Sequence, residues 1–278
     1  MQGSRKERID TLMVHKGLAG SREKAKRILM AGLVFVNQQR VDKPGTLVPV
    51  TDNIEVRGVE NPFVSRGGLK LEKALSRFAV PVQGRIWLDI GASTGGFTHC
   101  LLNHGAAKVY SIDVGYGQLA WELRQDPRVA VMERTNIRNV RREDLDTPAN
   151  GAAIDVSFIS LKLVLPVADS LLTDDGHIIT LIKPQFEVGK GKVGKKGVVR
   201  EASLHREVVQ DILEFARGIG LRILGLDYSP ITGPEGNIEF LAHFYRGGEN
   251  ASEITDGKAL AENTVKTAHD FFSRQVTI

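Results

Sequence analysis

At 278 residues, 42% hydrophobic and 25% charged with a formal net charge of +4, the chain is long enough for more than one domain and a sizeable buried core. One cysteine, Cys100, excludes an intramolecular disulfide and cannot by itself build a metal site. No run approaches the roughly 18–20 unbroken apolar residues that span a bilayer, and no apolar segment of the kind a secretion signal needs follows the charged start, so a cytoplasmic protein is expected. The charge is uneven: residues 1–60 hold 11 Lys and Arg against 7 Asp and Glu, so the whole excess lies there. A small basic unit ahead of a neutral larger one fits a part that holds a polyanion beside a part that does chemistry. Charge alone equally allows a solvated basic face.

In chain order, Ser4 and Glu7 have capping-box spacing, and Ile9, Leu12 and Met13 follow with helical period until Gly17, predicting a first helix. Ser21 predicts the cap of a second, with Ala25, Ile28 and Leu29 on its apolar face, Arg22, Lys24, Lys26 and Arg27 on the other, and Gly32 closing it. The period then becomes two, at Val34 and Val36 before a turn at Asn37-Gln38-Gln39, and later at Val48, Val50 and Ile54. Two helices followed by a small sheet, with Arg8-Ile9-Asp10, Ser21 to Ala25 and Gly32 to Asn37, resemble an S4 RNA-binding domain over about residues 5–58. The resemblance implies that Arg22, Lys26, Arg27 and Arg40 face structured RNA. Lys and Arg on one face neutralise phosphates with little readout of sequence.

The predicted organisation is a small α+β domain over residues 1–58, a linker over 59–66 interrupted by Pro62, and a second domain over 67–278. Leu71, Leu75 and Phe78 predict a helix whose basic stripe, Lys70, Lys73 and Arg77, is solvated by default. Strands are read at 86–90, 108–112, 129–132, 152–156, 177–182, 221–227 and 238–244, with helices between them, most clearly Leu204 to Ile219 behind a Ser203 cap. This is an α/β pattern, a doubly wound, Rossmann-like parallel sheet. Ser229 to Asn237, rich in Pro and Gly, is too short for a helix, so the last strand should run antiparallel. A terminal helix is read over 257–275.

The stretch Leu88-Asp89-Ile90-Gly91-Ala92-Ser93-Thr94-Gly95-Gly96-Phe97-Thr98 reads as strand, glycine turn and helix, and Asp113 ends the next strand, where a carboxylate can accept from ribose hydroxyls. Ser93 stands where a pyrophosphate-binding fingerprint needs its second glycine, and no Gly-Lys-Ser/Thr follows. A ligand with an adenosine and no phosphate, S-adenosylmethionine, suits the turn better than NAD or ATP.

With Ser65 to Lys70, Asp113-Val114-Gly115, Asp155 to Ser160, Leu181 to Glu187 and Gly236 to Glu239, that turn resembles the TlyA family over essentially the whole chain. These are ribosomal RNA 2′-O-methyltransferases with an FtsJ-like domain behind an S4 domain, and members have also been described as haemolysins. The resemblance implies a catalytic tetrad of Lys70, Asp155, Lys183 and Glu239. It implies an S-adenosylmethionine pocket of Asp89, Gly91, Ser93, Thr94, Gly95, Gly96, Phe97, Asp113, Val114 and Asn136, and transfer to a ribose, in a cytidine, of ribosomal RNA or a ribosomal subunit. Transfer to a 2′-hydroxyl needs alignment with the methyl and either removal of the proton or stabilisation of the alkoxide. Lys183 is the candidate for activating that hydroxyl, as base or as cation, since it follows the apolar run Ile178 to Ile182, where lysine is rare without a task. The glycine-rich basic loop at 187–200, with Lys190 and Lys192, is either a disordered connection or a flap that grips RNA, with Arg66 a further RNA contact. Histidines 99, 104, 177, 205, 243 and 269 show no ligand spacing, and no metal, membrane or obligate protein partner is implied. Two other readings are a membrane-active haemolysin and a ribosome-assembly RNA binder without catalysis.

Overall fold

The computed structural model describes residues 5–30, 32–57, 61–189, 191, 193–194, 197–248 and 253–275. The chain divides into two compact units, Met1–Pro62 and Phe63–Ile278. In the first, the order is β1 (Lys6–Arg8), α1 (Ile9–His15), α2 (Arg22–Met30), β2 (Val34–Val36), β3 (Gln39–Arg40), β4 (Leu47–Pro49) and β5 (Ile54–Val56). The apolar faces of α1 and α2 join the inward residues Val34, Val36, Val48 and Ile54 in one core.

Ser21 Oγ accepts the Lys24 N–H at 3.1 Å, the bond of a helix N-cap. The earlier box does not form. Ser4 lies outside the described residues, and Glu7 sits in β1, paired in register with Val48, because the strand partner β4 claims this stretch before α1 begins. Asn37 and Gln38 both take positive φ, 48° and 70°, making a two-residue hairpin turn that leaves Gln39 in the strand.

The second unit runs α3 (Gly67–Phe78), β6 (Ile86–Ile90), α4 (Gly96–Asn103), β7 (Lys108–Ile112), α5 (Trp121–Arg124), β8 (Val129–Met132), β9 (Ala149–Ile154), α6 (Leu161–Ser170), β10 (Leu172–Ile182), α7 (Pro184–Glu187), α8 (Ala202–Gly218), β11 (Arg222–Tyr228), β12 (Phe240–Arg246) and α9 (Gly257–Gln275). Its sheet has the order β11-β12-β10-β9-β6-β7-β8. Only β12 opposes its neighbours; the strands from β10 to β8 are parallel. Period two sorts the side chains: Trp87, Ala153, Ile179, Leu181 and Leu241 meet α3 and α4, while Leu88, Ile90, Ile154, Ile178, Ile182 and Phe240 meet α6, α8 and α9.

Several boundaries differ from the sequence reading. Phe63, assigned to the linker, is 6% exposed and packs in the core against Gly68, where an added Cβ would strike its ring. β9 stops at Ile154, so Asp155 and Val156 lie beyond the strand end, and β10 begins at Leu172, its register broken between Leu172 and His177. β8 reaches β9 through two 3-10 turns, Ile137–Asn139 and Arg142–Asp144, with no α-helix. α8 starts at Ala202 because the Glu201 carbonyl already accepts the first intrahelical bond, from His205 N–H, so Ser203 lies inside the helix instead of capping it.

Two buried titratable groups hold these layers. His243 on β12 is 3% exposed, lies 3.0 Å from His177 Nδ1 through Nε2, and stacks on Phe78; burial, with His177 beside it, pushes it down to about 3. Asp89 is fully buried, and its Oδ2 accepts from Thr98 N–H at 2.8 Å and Thr98 Oγ1 at 2.6 Å, while Oδ1 has no partner. Burial raises it to about 7.

The two predict opposite pH dependences. His243 has a folded value below its ordinary 6.5, so its contribution is complete above pH 6.5 and is lost as pH falls toward 3. In urea melts the stability of the parent relative to His243→Phe should fall through that window. Asp89 has a folded value above its ordinary 3.8, so the parent should lose stability relative to Asp89→Asn as pH rises from 3.8 to about 7, whereas Asp89→Ala should lose about 1–3 kcal/mol at neutral pH by orphaning the Thr98 donors.

Candidate active site

Parallel strands deliver their C-terminal ends to one edge of the sheet, and three such ends supply Gly91 after β6, Asp155 after β9 and Lys183 after β10. Because β12 runs the other way, its beginning lies at that same edge; Ile182 pairs with Phe240, so Glu239 arrives beside Lys183. Lys70 comes from the first turn of α3. Lys70 Nζ donates to Glu239 Oε2 at 2.6 Å and lies 3.8 Å from Asp155 Oδ2, while Lys183 Nζ lies 2.6 Å from Asp155 Oδ1 and donates to Ser157 Oγ at 3.1 Å. Lys70, Lys183 and Glu239 are 7%, 8% and 1% exposed. The result is an alternating chain of carboxylate, lysine, carboxylate, lysine, buried except for the partly exposed Asp155. Each charge faces an opposite one, the arrangement that burial of ions requires.

Two cavities meet on Asp155. The larger, about 720 Å³, is walled by Ile90, Gly91, Ser93, Asp113, Val114, Asn136 and the loop from Val156 to Ser160. The smaller, about 330 Å³, contains Lys70, Asp155, Lys183 and Glu239 with Ser65, Arg66, Thr94, Gly96 and Phe97. Gly91, Ser93, Asp155 and Ser157 line both. Gly91 has φ 88°, and a Cβ there would lie 2.6 Å from the Asp155 carbonyl oxygen, so the turn can approach the second strand end only without a side chain. Ser93 also has positive φ, 47°, and its N–H is held by Asp113 Oδ2 at 2.7 Å; Asp113 Oδ1 accepts from Gly115 N–H at 2.7 Å. Asp113 therefore ties the turn after β6 to the turn after β7.

Not every residue implied by the resemblance reaches a cavity. Asp89 lies beneath the turn, spent on Thr98, and Gly95 is covered by Leu119 and Leu123. Asp89 anchors α4; it does not line the cavity. The basic stripe of α3 separates: Lys70 enters the charge chain, while Lys73 and Arg77 pair with Asp227 at 3.1 and 3.4 Å, and Lys73 covers the Tyr228 ring. Lys190 and Lys192 lie outside the described residues. Ser157 of the Asp155 to Ser160 motif lines the large cavity, as do Gln118, Thr135 and Arg138, which no sequence period marks because they are single polar residues in loops. Glu187 accepts from Ser160 Oγ at 2.6 Å and Leu161 N–H at 2.8 Å, joining the segments that follow β9 and β10.

In the first unit Arg22, Arg27 and Arg40 are exposed and Lys26 is partly buried, 3.9 Å from Glu23. Arg22 is not a free side chain. With Arg8 it converges on the fully buried Asp10, at 3.1 and 2.9 Å, and the two guanidiniums hold that carboxyl well below the usual range. Phe35, the aromatic of this sheet, lies under the Arg57 guanidinium, 4.5 Å from the ring centre. Glu72, Cys100 and His104 bring ligand-type atoms within 4.8 Å of one another, through the four-residue spacing of Cys100 and His104 that the sequence reading did not weigh. They form hydrogen bonds, His104 Nε2 to Glu72 at 2.8 Å and Cys100 Sγ to Glu72 at 3.5 Å, and burial raises the thiol. No described helix is long and apolar enough to cross a membrane.

Comparison with known proteins gives the family. Residues 63–246 match the FtsJ-like methyltransferase family and residues 7–54 the S4 domain. A Bacillus subtilis protein named as an rRNA methyltransferase, YqxC, is 50% identical over 94% of this chain and 92% of its own. The 16S/23S rRNA (cytidine-2′-O)-methyltransferase TlyA of Mycobacterium tuberculosis is 46% identical over 85% of this chain and 89% of its own. A solved structure from Streptococcus thermophilus that carries the hemolysin name is 45% identical, covers 99% of this chain and 100% of that one, and superposes with a TM-score of 0.78. The chain belongs to the FtsJ-like methyltransferase family, in its TlyA group with an S4 domain ahead of the catalytic fold.

Proposed function

We propose that this protein transfers a methyl group from S-adenosylmethionine to a ribose 2′-hydroxyl of ribosomal RNA, in a cytidine as the name of its tuberculosis relative states for that enzyme. The observation that carries the reading is Lys183 paired with Asp155 where the two cavities meet. The lining of the larger cavity supports this cofactor: Asp113 would accept from ribose hydroxyls, Asn136 and Ile137 would flank the base, and apolar walls from Ile90, Val114 and Val156 suit an uncharged adenosine. S-adenosylmethionine supplies, when bound, an electrophilic methyl on sulfur.

The chain's own residues would then do three things. Ser93, Gly91 and Asp155 bring the two cavities together at one wall, so a ribose in the smaller one is held beside the donor with its oxygen aligned. Transfer forms the O–CH3 bond as the S–CH3 bond breaks, leaving S-adenosylhomocysteine and freeing the hydroxyl proton: Lys183, held on Asp155, would either take that proton as a base or, as a cation, stabilise the negative charge growing on the oxygen while the proton passes to solvent. Lys70, held between Glu239 and Asp155, keeps that carboxylate in place. The S4 domain would retain the RNA through phosphate contacts from Arg22, Arg27 and Arg40.

Replacing Lys183 with Met should lower methyl transfer to unmethylated ribosomal subunits by about 10²–10³-fold while calorimetry shows S-adenosylmethionine still bound. Undiminished transfer by the folded variant would sink the assignment. In Lys183→Arg, which keeps the charge, partial activity with a flat pH–rate profile marks a cation role; a parent profile rising with unit slope marks proton removal. For Arg22→Ala with Arg27→Ala, the plot of log affinity for ribosomal RNA against log salt should flatten by about 1–2, since each phosphate contact contributes roughly 0.7–0.9 to the slope.

A further inference from the structure

A third cavity, of about 660 Å³, opens beside the catalytic one and shares Arg66, Ile231 and Thr232 with it. We infer that it is a subsite for the nucleotide next to the methylated one in the substrate RNA, taken up unstacked. The inference rests on the 2′-O-methyltransferase reading and extends it to the path of the strand.

An RNA strand is continuous, so a ribose at Lys183 must lead its neighbours out of the small cavity. One side is closed by the cofactor cavity. The wall at Arg66, Ile231 and Thr232 leads instead into the third space, whose lining suits a nucleotide. Arg66 and Arg200 are exposed and line it, where a guanidinium can pair a phosphate in two-pronged fashion. Val199, Ile231 and Phe272 give it apolar surface, and Phe272 offers a ring on which any base can stack.

The wall carrying Arg200 is held still before any ligand arrives. Val199 N–H donates to Asn237 Oδ1 at 3.0 Å, the Val199 carbonyl lies 3.1 Å from His205 Nε2, and Asn237 Nδ2 donates to the Gly197 carbonyl at 3.0 Å. The N–H and the carbonyl of one residue, Val199, are thus both engaged by buried side chains, and Asn237 stands two residues before Glu239. A wall fixed in this way loses little freedom when it binds.

Two surface substitutions test the subsite without touching the charge chain. Ser273→Trp fills the cavity from α9, and Arg200→Glu reverses its charge; both positions are exposed. With unmethylated ribosomal subunits and labelled S-adenosylmethionine, each should raise the KM for subunits at least about fivefold with kcat and cofactor affinity unchanged. A photocrosslinking benzoylphenylalanine at position 273 should attach within two nucleotides of the methylated one. Unchanged KM in both variants, or crosslinks only to distant RNA or to protein, overturns the subsite and leaves the reaction standing. If the parent chain methylates no ribosomal RNA, both readings fall.

Discussion

Four alternating charges, the buried Glu239, Lys70 and Lys183 and the partly buried Asp155, are the constraint around which the larger unit is arranged. A single buried ion is expensive, and removing one partner from a buried pair costs about 3–5 kcal/mol because its mate is left uncompensated. Each charge in the chain therefore offsets the burial cost of its neighbours. That pairing sets where three strands must stop, which strand must run backwards and which turn of α3 must face the edge. What the set provides is a Lys183 amine whose direction is fixed by Asp155 and Ser157 before any substrate enters.

The cofactor side depends on the same economy applied to backbone. The turn after β6 takes positive φ at Gly91, Ser93 and Gly95, and two carboxylates support it from opposite sides: Asp89 from below through Thr98, Asp113 from beside through Ser93. Only one of the two borders the cavity. Asp89 and Asp113, both near the turn, thus divide the work of anchoring and contact according to depth. The buried one is held toward its neutral form and the partly buried one stays at the rim.

The small unit shows a related arrangement with a different outcome. Asp10, wholly buried, gathers Arg8 and Arg22 and leaves both guanidiniums about half exposed, so the carboxylate serves to orient cations that face outward. In the S4 reading, phosphates of folded RNA would meet groups whose directions are already set, with affinity governed by charge and little base readout.

Much of this was determined by sequence alone. Period two and period 3.6 are local consequences of backbone geometry, so most of the strand and helix order, the α/β class and the reversed last strand were readable from spacing and from the Pro- and Gly-rich stretch before Glu239, while β1 and the 3-10 turns between β8 and β9 were not. The motif residues Lys70, Asp155, Lys183 and Glu239 could be named from resemblance. Their distances could not, nor could the parting of Lys70 from Lys73 and Arg77 on one helix, because a lysine's partner is chosen by whatever element packs opposite it. Asp89 and Asp113 look alike in the chain and differ in depth, which only the packed layers define. The third cavity likewise has no sequence signature: its walls come from residues 66, 198–200, 205, 230–232, 236, 238, 269, 272 and 273, brought together by tertiary structure alone.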